Sequence, residues 1–299
     1  MPLDHRWFYP PRNFAALEDE DSSLHRARVV VLPVPYDSTT TYKTGSREAP
    51  QAILDASGNL ETFDHELMRD LSELGIHTLP EVAPVMEGPQ AMVERLYDIG
   101  KELAAQDKLV AMLGGEHLLA FPLAKAFAER YPKLTVLYFD AHGDLRDSYL
   151  ESRFTHACTA RRIVELCPVT QVGIRSISRE EWEFLQTKPP ITTFYAEESP
   201  LREEALERLL DSLGPEVYIS FDLDALDPSV IQGVGNPEPG GLTWQESLRI
   251  LKRVTQKSRV VGFDLVELCP PEGNTADAAT AAKLAYKLMG YATHPWPKE

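Results

Sequence analysis

The chain has little of what several protein classes require. Its 299 residues include three cysteines, Cys158, Cys167 and Cys269, and no C-x-x-C pair. These are too few and too scattered for a disulfide framework, so a reducing compartment is expected. No run of about 18 apolar residues occurs, so no membrane-spanning helix and no membrane partner are expected. The opening stretch MPLDHRWFYPPRNF holds no apolar core of the signal-peptide kind. The expected setting is therefore cytoplasmic. Positive charge is also short: 30 basic residues face 46 acidic ones, a net charge of −16. That balance argues against nucleic acid as a partner, because phosphates are neutralised by Lys and Arg. It weakly favours a cationic small molecule. What is present, 43% hydrophobic and 25% charged residues, suits a soluble globular fold with a substantial core.

The organising stretch is LTVLYFDAHGD, Leu134 to Asp144. Its apolar half is rich in β-branched and aromatic residues and reads as a strand buried on both faces, as in a parallel sheet. Asp140, His142 and Asp144 then follow at alternate positions. Residues two apart in an extended segment point the same way, so the three can converge. They lie past the strand's C-terminal end, where open α/β sheets gather ligands. One such residue would read as an ordinary polar loop position, but D-x-H-x-D directly after a buried strand reads as a metal site.

Residues 1–27 are polar and acid-rich and read as an N-terminal arm, followed by a single α/β domain over 28–299. Buried-strand patterns occur at 28–34, 108–113, 134–139, 169–174, 191–195, 216–222 and 259–265. Helical patterns start near Glu48 and run at 90–106, to about Arg130, at 157–166, after a Ser178 cap, at 201–213, from Thr243 and at 275–289. The segment 63–89 reads as irregular. Alternating strands and helices imply a parallel sheet with helices on both faces.

Two further strand ends carry chemistry. GGEH, Gly114 to His117, pairs a tight glycine turn with an imidazole. SFDLDALDP, Ser220 to Pro228, places Asp222 and Asp224 two apart at the end of an apolar strand. Asp227 reads as the start of the next turn. Two imidazoles and four carboxylates at one sheet edge would repel and raise their own pKa values unless compensated. Paired divalent cations about 3.5–4 Å apart resolve this. A carboxylate-rich set with two histidines suits Mn²⁺ better than Zn²⁺.

GGEH, DAHGD and SFDLDALDP, in this order, resemble the three metal-binding signatures of the ureohydrolases, the arginase and agmatinase family. The resemblance runs from VVLPVPYD to the last helix. It implies a three-layer α/β/α fold with a central, mostly parallel sheet of about eight strands, and a homo-trimer or homo-hexamer. It implies two Mn²⁺ per subunit. His117, Asp140, Asp144 and Asp222 would hold one, and Asp140, His142, Asp222 and Asp224 the other. Glu267, in DLVELCPP, matches the glutamate that grips a substrate guanidinium. His156, in RFTHACTARR, matches the active-site histidine proposed to shuttle protons. The implied reaction hydrolyses a guanidino group to urea and a primary amine, with Asp144 stabilising the tetrahedral carbon.

Arginases typically carry an asparagine two residues after the last acid of the central motif. Here that position is Arg146. L-R-D-x-Y, T-H-A-C with its paired Arg, and the Gly233 to Leu242 loop are similar to agmatinases. Agmatine is thus the expected cationic substrate, its far amine met by Asp147, Glu151 or Glu238, each of which also reads as a plain surface acid. Alternatives are N1-aminopropylagmatine, guanidinobutyrate, arginine and formiminoglutamate. A metal-dependent amide deacetylase and a non-catalytic relative are the rival classes. Glu116 and Gly143 depart from the commoner residues of the motifs, without touching the implied ligands.

Overall fold

In this computed structural model residues 12–18, 21–198 and 202–296 are described. Along the chain run β1 (Val29–Val34), α1 (Ala49–Ser57), β2 (Phe63–Asp64), β3 (Arg69–Asp70), β4 (Ile76–Thr78) and α2 (Pro89–Ala104). Then come β5 (Leu109–Gly114), α3 (Ala120–Arg130), β6 (Leu134–Phe139), α4 (Thr159–Val164), β7 (Val169–Ile174) and α5 (Arg179–Gln186). The last elements are β8 (Ile191–Tyr195), α6 (Glu203–Asp211), β9 (Glu216–Asp222), α7 (Trp244–Lys257), β10 (Arg259–Val266) and α8 (Ala276–Thr293).

Eight of the strands form one sheet in the order β4-β1-β5-β10-β9-β6-β7-β8, and every pairing is parallel. The small β2–β3 pair stands apart and is antiparallel. Strand alternation divides the core in two. Leu109, Ala111 and Leu113 of β5 join one cluster with residues of α1, α7 and α8. Val110 and Met112 join the other, with residues of α2, α3 and α4. This is the expected three-layer α/β/α arrangement, parallel throughout. Every residue of β5 and β6 is buried, which is why these strands read as continuous apolar runs. Each fully buried Leu, such as Leu284 or Leu288 of α8, contributes about 1.5–3 kcal/mol.

Local signals set the helix starts. Ser178 accepts from the Glu181 backbone N–H, and the Glu181 side chain reaches back to the Ser178 N–H, a reciprocal cap for α5. Thr243 and Glu246 do the same for α7, so Thr243 caps the helix rather than opening it.

Three differences from the sequence reading stand out. The segment expected to be irregular holds β4, an edge strand too short and too polar to show alternation. The last helix runs four residues past Met289, to Thr293, because its final turn is still buried. The stretch expected to be helical from 157 opens with a 3-10 turn, His156–Cys158, before α4. Residues 1–11 of the expected arm lie outside the described residues. Beyond them Phe14 is fully buried, and its backbone N–H donates to Thr78 Oγ1 at 2.9 Å. Among the described residues no helix is long and apolar enough to cross a membrane.

Candidate metal centre and active site

Four adjacent strands, β5, β10, β9 and β6, end side by side in the middle of the sheet. His117 follows β5, Glu267 follows β10, Asp222 ends β9 with Asp224 just beyond, and Asp140, His142 and Asp144 follow β6. His156 enters from the 3-10 turn before α4. These eight residues, remote in sequence, line one cavity of about 220 Å³.

The acids are crowded around the imidazoles. His117 Nδ1 lies 3.0 Å from Asp140 Oδ2, 3.2 Å from Asp222 Oδ2 and 3.5 Å from Asp144 Oδ2. His142 Nδ1 lies 3.1 Å from Asp224 Oδ2 and 3.4 Å from Asp140 Oδ1. Asp140 thus turns one oxygen to each imidazole. Two groups of donor atoms, His117 with Asp140 and Asp144, and Asp140 with His142 and Asp224, each gather within 4.8 Å. Asp222 approaches His117 but belongs to neither of these tight groups.

Backbone donors fix one oxygen of each of three acids. Asp140 Oδ1 accepts from the His142 N–H at 2.6 Å, Asp222 Oδ1 from Asp224 at 2.8 Å, and Asp224 Oδ1 from Ala141 at 3.0 Å. Asp144 Oδ2 receives the Tyr138 hydroxyl at 2.8 Å, and the Tyr138 ring stacks on His117. Asp144 and Glu267 both have left-handed backbone, φ 51° and 65°. That region costs energy for a residue with a Cβ and is kept where the surroundings enforce it, often at a functional site.

The donor set fits divalent metal. One ring N–H can serve one acceptor well, yet three carboxylate oxygens stand within 3.5 Å of His117 Nδ1. Asp140 Oδ2 is buried and, despite its 3.0 Å approach, has no aligned hydrogen bond among the described residues. On the far side His117 Nε2 is 2.9 Å from Ser220 Oγ, which donates to Asp264 Oδ1 at 2.9 Å. With the hydroxyl proton committed to Asp264, Ser220 accepts from Nε2–H. In a neutral ring that leaves the Nδ1 lone pair facing the carboxylates, as a ligating histidine requires.

The proton affinities of these side chains reflect the same crowding. Burial raises the carboxyls of Asp144, Asp222 and Asp224 above the usual range, and the negative charge of Asp140 adds to this. Burial opposes a charged His117, but Asp140 and Asp222 outweigh it and raise the imidazole well above its ordinary value. His142 is likewise pushed up to about 12, the charge of Asp224 overcoming burial. Glu267 is pushed up to about 8 by burial. His156 moves the other way, down to about 4, through burial and the positive charge of His142 and His117.

Sequence reasoning missed several supporting groups. Tyr138 and Ser220 precede Asp140 and Asp222 by two, so period-2 alternation could have placed them on the same side. Asp264 is the lone acid in an apolar strand, a signal that could have marked it. Asn236, whose amide is 2.9 Å from His142 Nε2, gave no signal. Glu181 seats its Oε1 on the Leu145 N–H at 2.8 Å, and a Cβ at Gly143 would lie 3.2 Å from that oxygen. The small residue makes room for it. Of the three acids expected to meet a distal amine, Asp147 is taken by Arg162 at 2.6 Å and Arg153 at 3.3 Å. Glu238 lies 4.0 Å from His142 Nε2, beside the cavity. Glu151 sits in a two-residue turn closed by Tyr149 and Ser152, with φ 64°.

Comparison with known proteins agrees with this geometry. A model of the arginase family matches residues 27–290. An N(1)-aminopropylagmatine ureohydrolase of Synechocystis sp. is 38% identical over 291 residues, 94% of each chain. An agmatinase of Pyrococcus horikoshii is 36% identical, over 88% of this chain and 92% of its own. The crystal structure of agmatine ureohydrolase of Thermoplasma volcanium superposes with a TM-score of 0.85 at 29% identity, over 96% of each chain.

Proposed function

Because the chain belongs to the arginase family, we propose that it hydrolyses the guanidino group of a linear cationic amine to urea and a primary amine, with two Mn²⁺ ions as cofactor. Family membership sets aside the deacetylase alternative. The observation that carries the reading is the shared carboxylate: Asp140 presents Oδ2 to His117 and Oδ1 to His142, as a bridge between two cations would.

In this reading His117, Asp140, Asp144 and Asp222 would hold one ion, and Asp140, His142, Asp222 and Asp224 the other, within one catalytic unit spanning 28–299. When bound, the ions would supply a water that loses its proton near neutral pH. Carboxylate and imidazole donors favour Mn²⁺ over Zn²⁺. Glu267 receives the guanidinium, whose parallel N–H groups match a carboxylate. Its Oε1 already accepts the His117 N–H at 2.6 Å, which fixes the carboxylate relative to the ligands. Asp144 accepts hydrogen bonds from the nitrogens of the reacting carbon as charge builds there. His156, kept neutral by its surroundings, takes up a proton and passes it to the departing amine. Water supplies the oxygen of urea, and its protons go to the amine.

For the substrate, we favour N1-aminopropylagmatine over agmatine, because the relative matched over most of the chain at 38% identity carries that name. Agmatine is the second reading, supported by the 36% identical agmatinase. Both present a guanidinium at one end and cationic nitrogen at the other, which Glu238, beside the cavity, can meet. Urea release from N1-aminopropylagmatine, agmatine, arginine and guanidinobutyrate decides the matter. A higher kcat/KM for N1-aminopropylagmatine supports the first reading, and urea from none of them overturns both.

A further inference from the structure

Thr39 lies on the loop between β1 and α1, and its hydroxyl has three polar neighbours. Oγ1 donates to Glu116 Oε2 at 2.7 Å, accepts the His156 backbone N–H at 3.1 Å, and stands 3.3 Å from His156 Nδ1. A hydroxyl has one proton and two lone pairs. Here the proton goes to Glu116. That oxygen also receives the Thr39 backbone N–H at 2.7 Å, so it acts as an acceptor twice over. One hydroxyl lone pair takes the His156 backbone N–H. The remaining contact is a hydrogen bond only if Nδ1 carries a hydrogen.

Resting on the ureohydrolase reading of His156, we propose that Glu116 and Thr39 are positioning residues that hold neutral His156 as its Nδ1–H tautomer. Nε2, which has no hydrogen-bond partner among the described residues, then carries the lone pair. The same nitrogen takes up the proton released by the attacking water and returns it to the departing amine. Nδ1 keeps its hydrogen throughout, and the ring ends the cycle as it began.

Several features are arranged to make this contact. A Cβ at Gly115 would lie 2.0 Å from the Tyr36 carbonyl oxygen, so only glycine lets the β5 end pass this close beneath the loop. The Glu116 N–H donates to that carbonyl at 3.0 Å. Buried Asp37 anchors the loop by accepting from the Gly45 and Arg47 backbone N–H groups at 2.9 and 3.0 Å. Glu116 is fully buried, and its Oε1 has no hydrogen-bond partner among the described residues. The acid stands in the core for its one engaged oxygen.

The test reads the tautomer directly. Protein carrying ¹⁵N-labelled histidine and loaded with diamagnetic Zn²⁺ is examined by NMR, with His156→Asn identifying the resonances. The expected result is a protonated, pyrrole-type Nδ1 and a pyridine-type Nε2. In Thr39→Val both tautomers are populated, and kcat for urea release falls about tenfold with KM and metal content unchanged. Thr39→Ser keeps the hydroxyl and restores kcat to within about twofold. A wild-type ring protonated at Nε2 overturns the proposal, as does a Thr39→Val enzyme with the wild-type tautomer and kcat. Should Thr39→Val fail to fold, the wild-type spectrum decides alone. Should the wild type release no urea from any guanidine, the functional reading fails while the spectrum still decides the tautomer.

Discussion

The backbone N–H of His117 donates to Glu267 Oε1 at 2.6 Å, joining residues 150 positions apart. One bond thereby fixes the spacing between a candidate metal ligand and the carboxylate proposed to hold the guanidinium. The β5 and β10 strands that carry them are direct neighbours, which makes the register rigid. Glu267→Gln keeps the acceptor for His117 and loses the charge. It is expected to lower kcat/KM by about 10–150-fold, the worth of a charge-assisted hydrogen bond, with metal content unchanged. Steady-state urea release with parallel metal analysis checks this; wild-type kinetics would remove Glu267 from substrate binding.

His156 is expected to separate from the metal ligands by its signature. His156→Asn should lower kcat by about 10²–10⁴-fold, the usual range for a lost acid–base group. KM and bound metal should stay near wild type. Loss of metal along with activity would make His156 part of the metal centre instead.

The Asp264–Ser220–His117 chain orients a ligand from behind. Ser220→Ala should weaken metal affinity by about 10–100-fold, the usual effect of losing an outer partner. Activity should return at high metal concentration. A titration of urea release against added Mn²⁺ measures the shift, and an unmoved midpoint would show that the chain is not needed for binding.

Away from the site, Lys287 of α8 is buried and pairs with Asp64 at 2.8 Å and Glu66 at 2.6 Å. Burial works against the charge of Asp64, but Lys287 and the Leu67 N–H hold its carboxyl below the usual range. For Glu66 burial is outweighed by Lys252, Lys287 and Tyr291, and its value falls to about 2. Folded values below the unfolded ones mean that this stability is present at neutral pH and is lost as pH falls through the folded values. Lys287→Met should cost about 3–5 kcal/mol at pH 7, because it strands a buried carboxylate. The gap from wild type should narrow between pH 5 and pH 2, as the linkage requires. Denaturant unfolding at several pH values measures it, and a gap that widens on acidification would contradict the assignment.

Much of the site was legible because it obeys short-range rules. D-x-H-x-D at Asp140 to Asp144 and D-x-D at Asp222 and Asp224 follow buried strands, where alternation and the strand-end rule act together. β4 was not legible, because three residues with two polar ones leave no pattern. The Thr39–Glu116–His156 contacts were out of reach for another reason. They depend on a loop folding back over a neighbouring strand end, and no local spacing encodes that. Asp147 read as available at the mouth, yet its charge is spent on Arg162, seen once α4 is packed beside it.

Carboxylates this crowded are expected to work only around paired cations. Chelator treatment followed by metal analysis and urea assay, before and after adding back Mn²⁺, decides this. The expected result is about two metal ions per chain when active, loss of urea release on stripping and its return with two equivalents, with Asp140→Asn failing to recover. A fully stripped chain that released urea as fast as the loaded one would show that the carboxylates need no cations.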